Sequence, residues 1–157
     1  MNNGTIVSIH LAPAHGAPTI PVPEAVAVPG RGLEGDRHFR SAKAAAAGKT
    51  DVTLIEIESA EAIRREWDLD VAAGDLRRNL VTRGVALNAL VGRTFRVGEV
   101  TLEGLMPCDP CVHLAGLTQA DVLPALKGRG GLRARVVTGG VIRVGDRVVV
   151  DQAPVGI

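Results

Sequence analysis

The chain predicts a mainly β fold, an antiparallel sandwich or barrel with a few short helices. Short runs rich in Val, Ile and Thr recur along it, as in Val52–Ile57, Glu99–Leu105 and Arg147–Asp151. Gly and Pro, 19 and 9 of 157 residues, punctuate those runs at close intervals, the signature of many short strands rather than of alternating βαβ units. The C-terminal third adds glycine-bearing turns between neighbouring apolar runs, which is hairpin chemistry.

Taken in order, Thr5–Leu11 and Glu24–Val28 read as the first strands. Ala42–Ala47 suits a helix by composition, but Gly48 and the missing apolar stripe suit a loop equally well. Val52–Ile57 is the next strand, and Ser59 reads as the N-cap of a helix over Ala60–Trp67. Thr94–Val97 and Glu99–Leu105 flank Gly98 as a hairpin. A short helix is expected over Ala120–Leu126, then strands Arg133–Thr138, Val141–Val144 and Arg147–Asp151. Gly139-Gly140 and Gly145-Asp146 between them predict two more hairpins, because these residues tolerate the positive φ of tight turns.

A length of 157 residues suits one domain over Met1–Ile157 with a sizeable core. No internal repeat or linker divides it. The net charge is +1, from 18 basic and 17 acidic residues, so nothing global favours a nucleic-acid partner. Two Phe, one Trp and no Tyr offer no platform for base stacking. Met1-Asn2-Asn3-Gly4 lacks a secretory signal, and no stretch reaches the roughly 18 apolar residues of a membrane span. The expectation is a cytoplasmic protein with reduced thiols and no membrane partner; the oligomeric state is open.

Three polar clusters break the strand pattern. Gly30–His38 packs three glycines and charged side chains together, so the backbone can approach a ligand while Arg37 and His38 meet an anion. A solvated turn is the plainer alternative, and neither phosphate-loop template fits. Gly74–Gly84 carries Arg77 and Arg78, which would point to opposite faces of an extended segment, one toward a site and one toward water; the alternative is a charged edge strand. Lys127–Arg135 places Arg133 and Arg135 on one face of a strand behind a glycine-rich approach.

The only cysteines, Cys108 and Cys111, stand in Cys108-Asp109-Pro110-Cys111. Pro107 and Pro110 argue against a helix there, so the thiols are expected on a loop at the end of a strand, where scaffolds present reactive groups. A thioredoxin-type dithiol lacks its βαβ context here. Zinc could draw on Cys108, Cys111, His113 and His38, but a second half-site is missing. The remaining options are an inert buried pair, a nucleophilic or persulfide-carrying thiolate, and a ligand to a soft metal.

In their order along the chain, Gly32–His38, Arg78-Asn79-Leu80, Leu90–Gly98, Pro110-Cys111 and Gly131–Val136 resemble the MOSC domain. That module is named after the C-terminal part of molybdenum cofactor sulfurases and also occurs in amidoxime-reducing enzymes and hydroxylaminopurine-resistance proteins. The resemblance spans about Ile6 to Val150 and implies an antiparallel or mixed β-barrel that binds the pterin form of molybdenum cofactor. It makes Cys111 the molybdenum ligand or sulfur acceptor and Cys108 an accessory thiol. Arg37, His38 and Asn79 match polar positions of the family's pocket, and Gly35, Asp36, Arg78, Arg133 and Arg135 complete the expected cofactor contacts. Many relatives carry Gly-Glu-Asn-Leu where this chain has Arg77-Arg78-Asn79-Leu80, so no carboxylate role transfers to that site. Pyridoxal phosphate binding is a further family-level association. A cysteine desulfurase is the implied partner of a sulfur carrier, and a reductase donor that of an enzyme acting on N-hydroxylated compounds. The alternative is a non-enzymatic binding module regulated by a Cys108–Cys111 redox pair.

Overall fold

The computed structural model describes residues 3–14, 17–68, 76–108 and 128–150. Among these residues eleven strands and one α-helix occur: β1 Asn3–Leu11, β2 Ile20–Val22, β3 Glu24–Val28, β4 Gly32–Leu33, β5 Val52–Glu56, α1 Ile57–Trp67, β6 Leu80–Arg83, β7 Thr94–Val97, β8 Val100–Pro107, β9 Leu132–Thr138, β10 Gly140–Arg143 and β11 Arg147–Val150. Seven of them close into a barrel in the order β11-β7-β8-β9-β5-β6-β1, sealed by β1 against β11, with Asn3 opposite Val149. β2 continues the same edge of β1, with Ile9 opposite Val22. A small second sheet, β10-β3-β4, lies beside the barrel.

The core follows from strand alternation. Inward residues such as Ile6, Ile9, Leu54, Leu80, Phe95, Val97, Leu102, Leu132 and Val148 form one buried apolar cluster, as expected when every second side chain faces a closed interior. The neighbouring Ile55 and Val81 point the other way, yet they too are buried. α1, which packs on β5 and β6 and buries its own Ala60 and Ile63, covers that outer face. It also makes the topology possible, because β5 and β6 pair in parallel, Leu54 opposite Leu80, and a parallel neighbour demands a crossover. The other barrel pairings are antiparallel. Among the described residues no helix is long and apolar enough to cross a membrane.

Several local expectations change. The helix begins at Ile57, with Glu56 at the cap position and no side-chain cap, so Ser59 is a buried residue of the first turn rather than an N-cap. Glu56 instead accepts a hydrogen bond from Leu87 N (3.2 Å). Ala42–Ala47 reduces to a single 3-10 turn over Ala42–Ala44, capped by Ser41. The expected helix over Ala120–Leu126 lies outside the described residues. Of the three hairpins only β7–β8 forms, Val97 opposite Val100. β9 pairs with β8 and β5, whereas β10 pairs with β3 and β11 with β7 and β1. Gly139 and Gly145 serve as crossings between sheets: a Cβ on Gly139 would sit 2.7 Å from Ala27 O, and Gly145 N donates to Ile6 O at the β1 bulge (2.8 Å). The Arg77–Gly84 region yields no edge strand, since β6 lies inside the barrel between β5 and β1 with Leu80, Val81 and Thr82 buried.

Candidate functional site

One end of the barrel gathers the end of β1, the loop after β4, the starts of β5 and β6, the end of β8 and the start of β9. Between them lies a cavity of about 480 Å³, lined by Asp36, Arg37, His38, Arg77, Asn79, Cys108 and Arg133 among others. That is within the usual range for a small-molecule site, roughly 300–1,000 Å³. Among the described residues five arginines against two aspartates line it, a balance that suits an anion.

Two polar residues hold the walls together. Asn79 accepts from Thr53 N (3.1 Å) and Thr53 Oγ1 (3.3 Å), and its Nδ2 donates to His10 O (3.1 Å) and Asp36 Oδ1 (3.5 Å). It thus joins β1, β5 and the β4 loop to the start of β6. Asp36, 8% exposed, accepts from Ala12 N (2.8 Å) and His38 N (3.2 Å), which fixes Arg37 and His38 at the rim. Behind them Arg40 pairs with Asp51 (2.7 Å) and donates to Thr50 O (2.6 Å). Asp51 also accepts from Val136 N (2.8 Å), so this pair belongs to the scaffold.

The arginines divide by their partners. Arg78 is 8% exposed and donates to Gly130 O (3.0 Å), Leu76 O (3.4 Å) and Cys108 O (3.4 Å). Arg77 holds a left-handed backbone, φ 59°, an uncommon conformation for a residue with a long side chain. Its Nη1 donates to Ala17 O, while Nη2 is buried without a hydrogen-bond partner. Burial and the Arg37 charge press the Arg77 pKa down, opposed by Asp36. A buried guanidinium donor left open beside a second arginine is an arrangement that an oxyanion would satisfy. His38 is also held below the ordinary histidine range, first by burial and then by Arg37, with Asp36 opposing and Arg40 and Arg77 adding to the depression. Cys108 is a free buried thiol, 3% exposed, whose N–H donates to Gly131 O (2.8 Å).

Of the residues singled out in the sequence, Asp36, Arg37, His38, Arg78, Asn79, Cys108 and Arg133 line this cavity. Gly35 turns the chain just before Asp36 at φ 88°. Arg135 is not among the lining residues; it pairs with Glu103 on β8. Cys111 and His113 lie outside the described residues, and among the described residues no group of three or more His, Cys, Asp or Glu is placed to hold a metal ion. The sequence did not single out Arg40, Asp51 or Thr53; Thr53 reveals itself only through the parallel register that brings it to Asn79.

The family model of the MOSC domain matches residues 34–149. The fold is similar to the crystal structure of the YuaD protein from Bacillus subtilis (TM-score 0.81, 17% identity, 97% of each chain covered). It is also similar to YiiM from Geobacillus stearothermophilus (0.76, 21%, 98% of this chain and 77% of that one) and YiiM from Escherichia coli (0.67, 20%, 98% and 71%). Among curated proteins none matches the chain.

Proposed function

Because the chain belongs to the MOSC domain family, which is generally associated with molybdenum cofactor binding, we propose that the cavity at the barrel end binds the phosphate-bearing pterin of that cofactor. The observation that carries this reading is a cavity lined by arginines and a thiol, one of whose arginines, Arg77, keeps a buried Nη2 without a hydrogen-bond partner. The donor set suits the group: guanidinium forks at Arg37, Arg77 and Arg133 for phosphate, the Asp36–Asn79 network for a polar pterin edge, and cysteine sulfur for a soft metal. When bound, the cofactor supplies two-electron redox chemistry at molybdenum.

The chain's own residues bind, orient and shield. Asn79 and Asp36 fix the wall, Arg77 neutralises anionic charge, and His38, neutral at pH 7 by its lowered pKa, can accept or donate a proton at the rim. We assign Cys111 as the reactive thiol and Cys108 as its accessory. As a sulfur carrier, the Cys111 thiolate attacks the terminal sulfur of a desulfurase persulfide. A new S–S bond forms at Cys111 and the donor's own thiolate departs, so no oxidant is consumed.

The test compares wild type with Cys111→Ser and Cys108→Ser, prepared from molybdate-replete cells, for bound molybdenum, pterin fluorescence and cyanide-releasable sulfur. Molybdenum lost in Cys111→Ser and kept in Cys108→Ser supports the ligand role. Sulfane sulfur on Cys111 without reduction of an N-hydroxylated base by any flavin or ferredoxin-type donor supports the carrier role. Neither molybdenum, pterin nor sulfane sulfur in any sample would sink the reading.

A further inference from the structure

Arg78 lines the cavity, and its guanidinium also reaches backbone carbonyls of three chain segments. Its Nε reaches Gly130 O (3.0 Å), Nη2 reaches Cys108 O (3.4 Å) and Nη1 returns to Leu76 O (3.4 Å). Cys108 lies at the exit of β8, while Gly130 lies at the entrance to β9. These two points adjoin the last β8–β9 pair, Pro107 opposite Leu132, and form the neck of the β8–β9 connection. A second tie crosses the same neck, Cys108 N to Gly131 O (2.8 Å). Gly131 has φ 114°, and a Cβ there would lie 2.0 Å from Leu54 O, so the β9 side of the neck sits flush against β5 and cannot yield.

We infer that Arg78 is a positioning residue: its guanidinium ties the end of β8 to the approach to β9 at this neck and so holds Cys108 in the cavity wall. The planar fork is what permits three carbonyls from three chain segments to share one cation. A lysine ammonium on a flexible stem cannot span them at once. Hydrogen bonds to a charged donor are stronger than neutral ones, and leaving the buried carbonyls without it loosens the neck before it unfolds the barrel. This inference deepens the reading of the cavity as a thiol-bearing anion site and rests on it for its purpose. Its test needs no cofactor, so the two can fail separately.

The experiment measures alkylation of Cys108 by iodoacetamide in full-length Cys111→Ser protein, with and without Arg78→Gln or Arg78→Lys. Ile63→Val under α1, which thins a buried core site away from the neck, serves as a stability control, and urea unfolding is run on every variant. Arg78→Gln should raise the Cys108 rate by at least about tenfold, the shift expected from losing one charge-assisted hydrogen bond. Arg78→Lys should fall between it and the parent, and Ile63→Val should leave the rate near the parent's. If Arg78→Gln does not fold, the Arg78→Lys comparison carries the test alone. Equal rates in the Arg78 variants and the parent, or acceleration by Ile63→Val as large as theirs, would overturn the inference.

Discussion

Replacing Asn79 by Ala and by Asp separates what its two side-chain ends contribute. Asn79→Ala leaves Thr53 N–H and His10 C=O without the partners they have at 3.1 Å each. With about 1–3 kcal/mol for each orphaned polar group, the expected loss is about 3 kcal/mol. Asn79→Asp keeps the oxygen that faces Thr53 but replaces the Nδ2 donor by an oxygen, 3.5 Å from Asp36 Oδ1 and 3.1 Å from His10 O. Two carboxylates at that separation repel by about 4–5 kcal/mol at an effective dielectric near 20. The Asp variant should therefore be the less stable at pH 7. The sign of its pH dependence follows: repulsion raises the folded-state pKa of the new carboxyl above the ordinary ~3.9, so below neutrality the folded state binds a proton that the unfolded state does not. The penalty relative to wild type must then shrink as pH falls from 7 to 5. Urea unfolding of the three proteins at both pH values measures it. An Asp variant no worse than the Ala variant at pH 7, or a gap to wild type unchanged at pH 5, would refute the assignment of Nδ2 as the donor between β1 and Asp36.

Other substitutions probe other parts of the molecule. Gly131→Ala places its Cβ 2.0 Å from Leu54 O at φ 114°, so we expect little folded protein at 37 °C, seen as loss of soluble yield and of a cooperative melting transition. His10 is buried, bonds Ser8 Oγ through Nε2 (2.8 Å), and has its pKa lowered by burial. The unfolded chain takes up a proton near pH 6.5 while folded His10 stays neutral, so stability falls as pH drops from about 6.5 toward the lower folded value. His10→Gln should flatten that part of the profile in urea unfolding, with the remaining slope belonging to groups such as His38; an unchanged slope would contradict it. Phe95→Ala, at the fully buried centre of the barrel, should cost about 3–5 kcal/mol by the same assay.

Strand alternation was legible wherever one face of a strand is buried: Glu24–Val28 in the small sheet and Thr94–Val97 in the barrel are observed with the boundaries their residues suggest. Connectivity was less legible. Gly139-Gly140 and Gly145-Asp146 carry turn chemistry, but the same glycines also let the chain cross closely over Ala27 and β1, and only tertiary contacts decide between the two uses. β6 escaped notice as an interior strand because Arg77 and Arg78 stand at its threshold. Their charges are absorbed by backbone carbonyls of distant segments, which no local pattern encodes. The site was legible as residue types: Arg37, His38, Asn79 and Cys108 meet at one cavity. Their division of labour was not, since Arg77 rather than Arg78 leaves a buried donor open, and that depends on the left-handed turn at Arg77.

We propose that this cavity holds a phosphate-bearing pterin through Arg77. Its most direct test is the molybdenum and pterin content of wild type against Arg77→Gln, both purified from molybdate-replete cells and both shown to be folded by circular dichroism. With the pterin held by Arg77, wild type carries near-stoichiometric molybdenum and pterin and the variant loses both by at least about tenfold, the worth of one charge-assisted phosphate contact. Wild type free of both, or a variant loaded as fully as wild type, would contradict it.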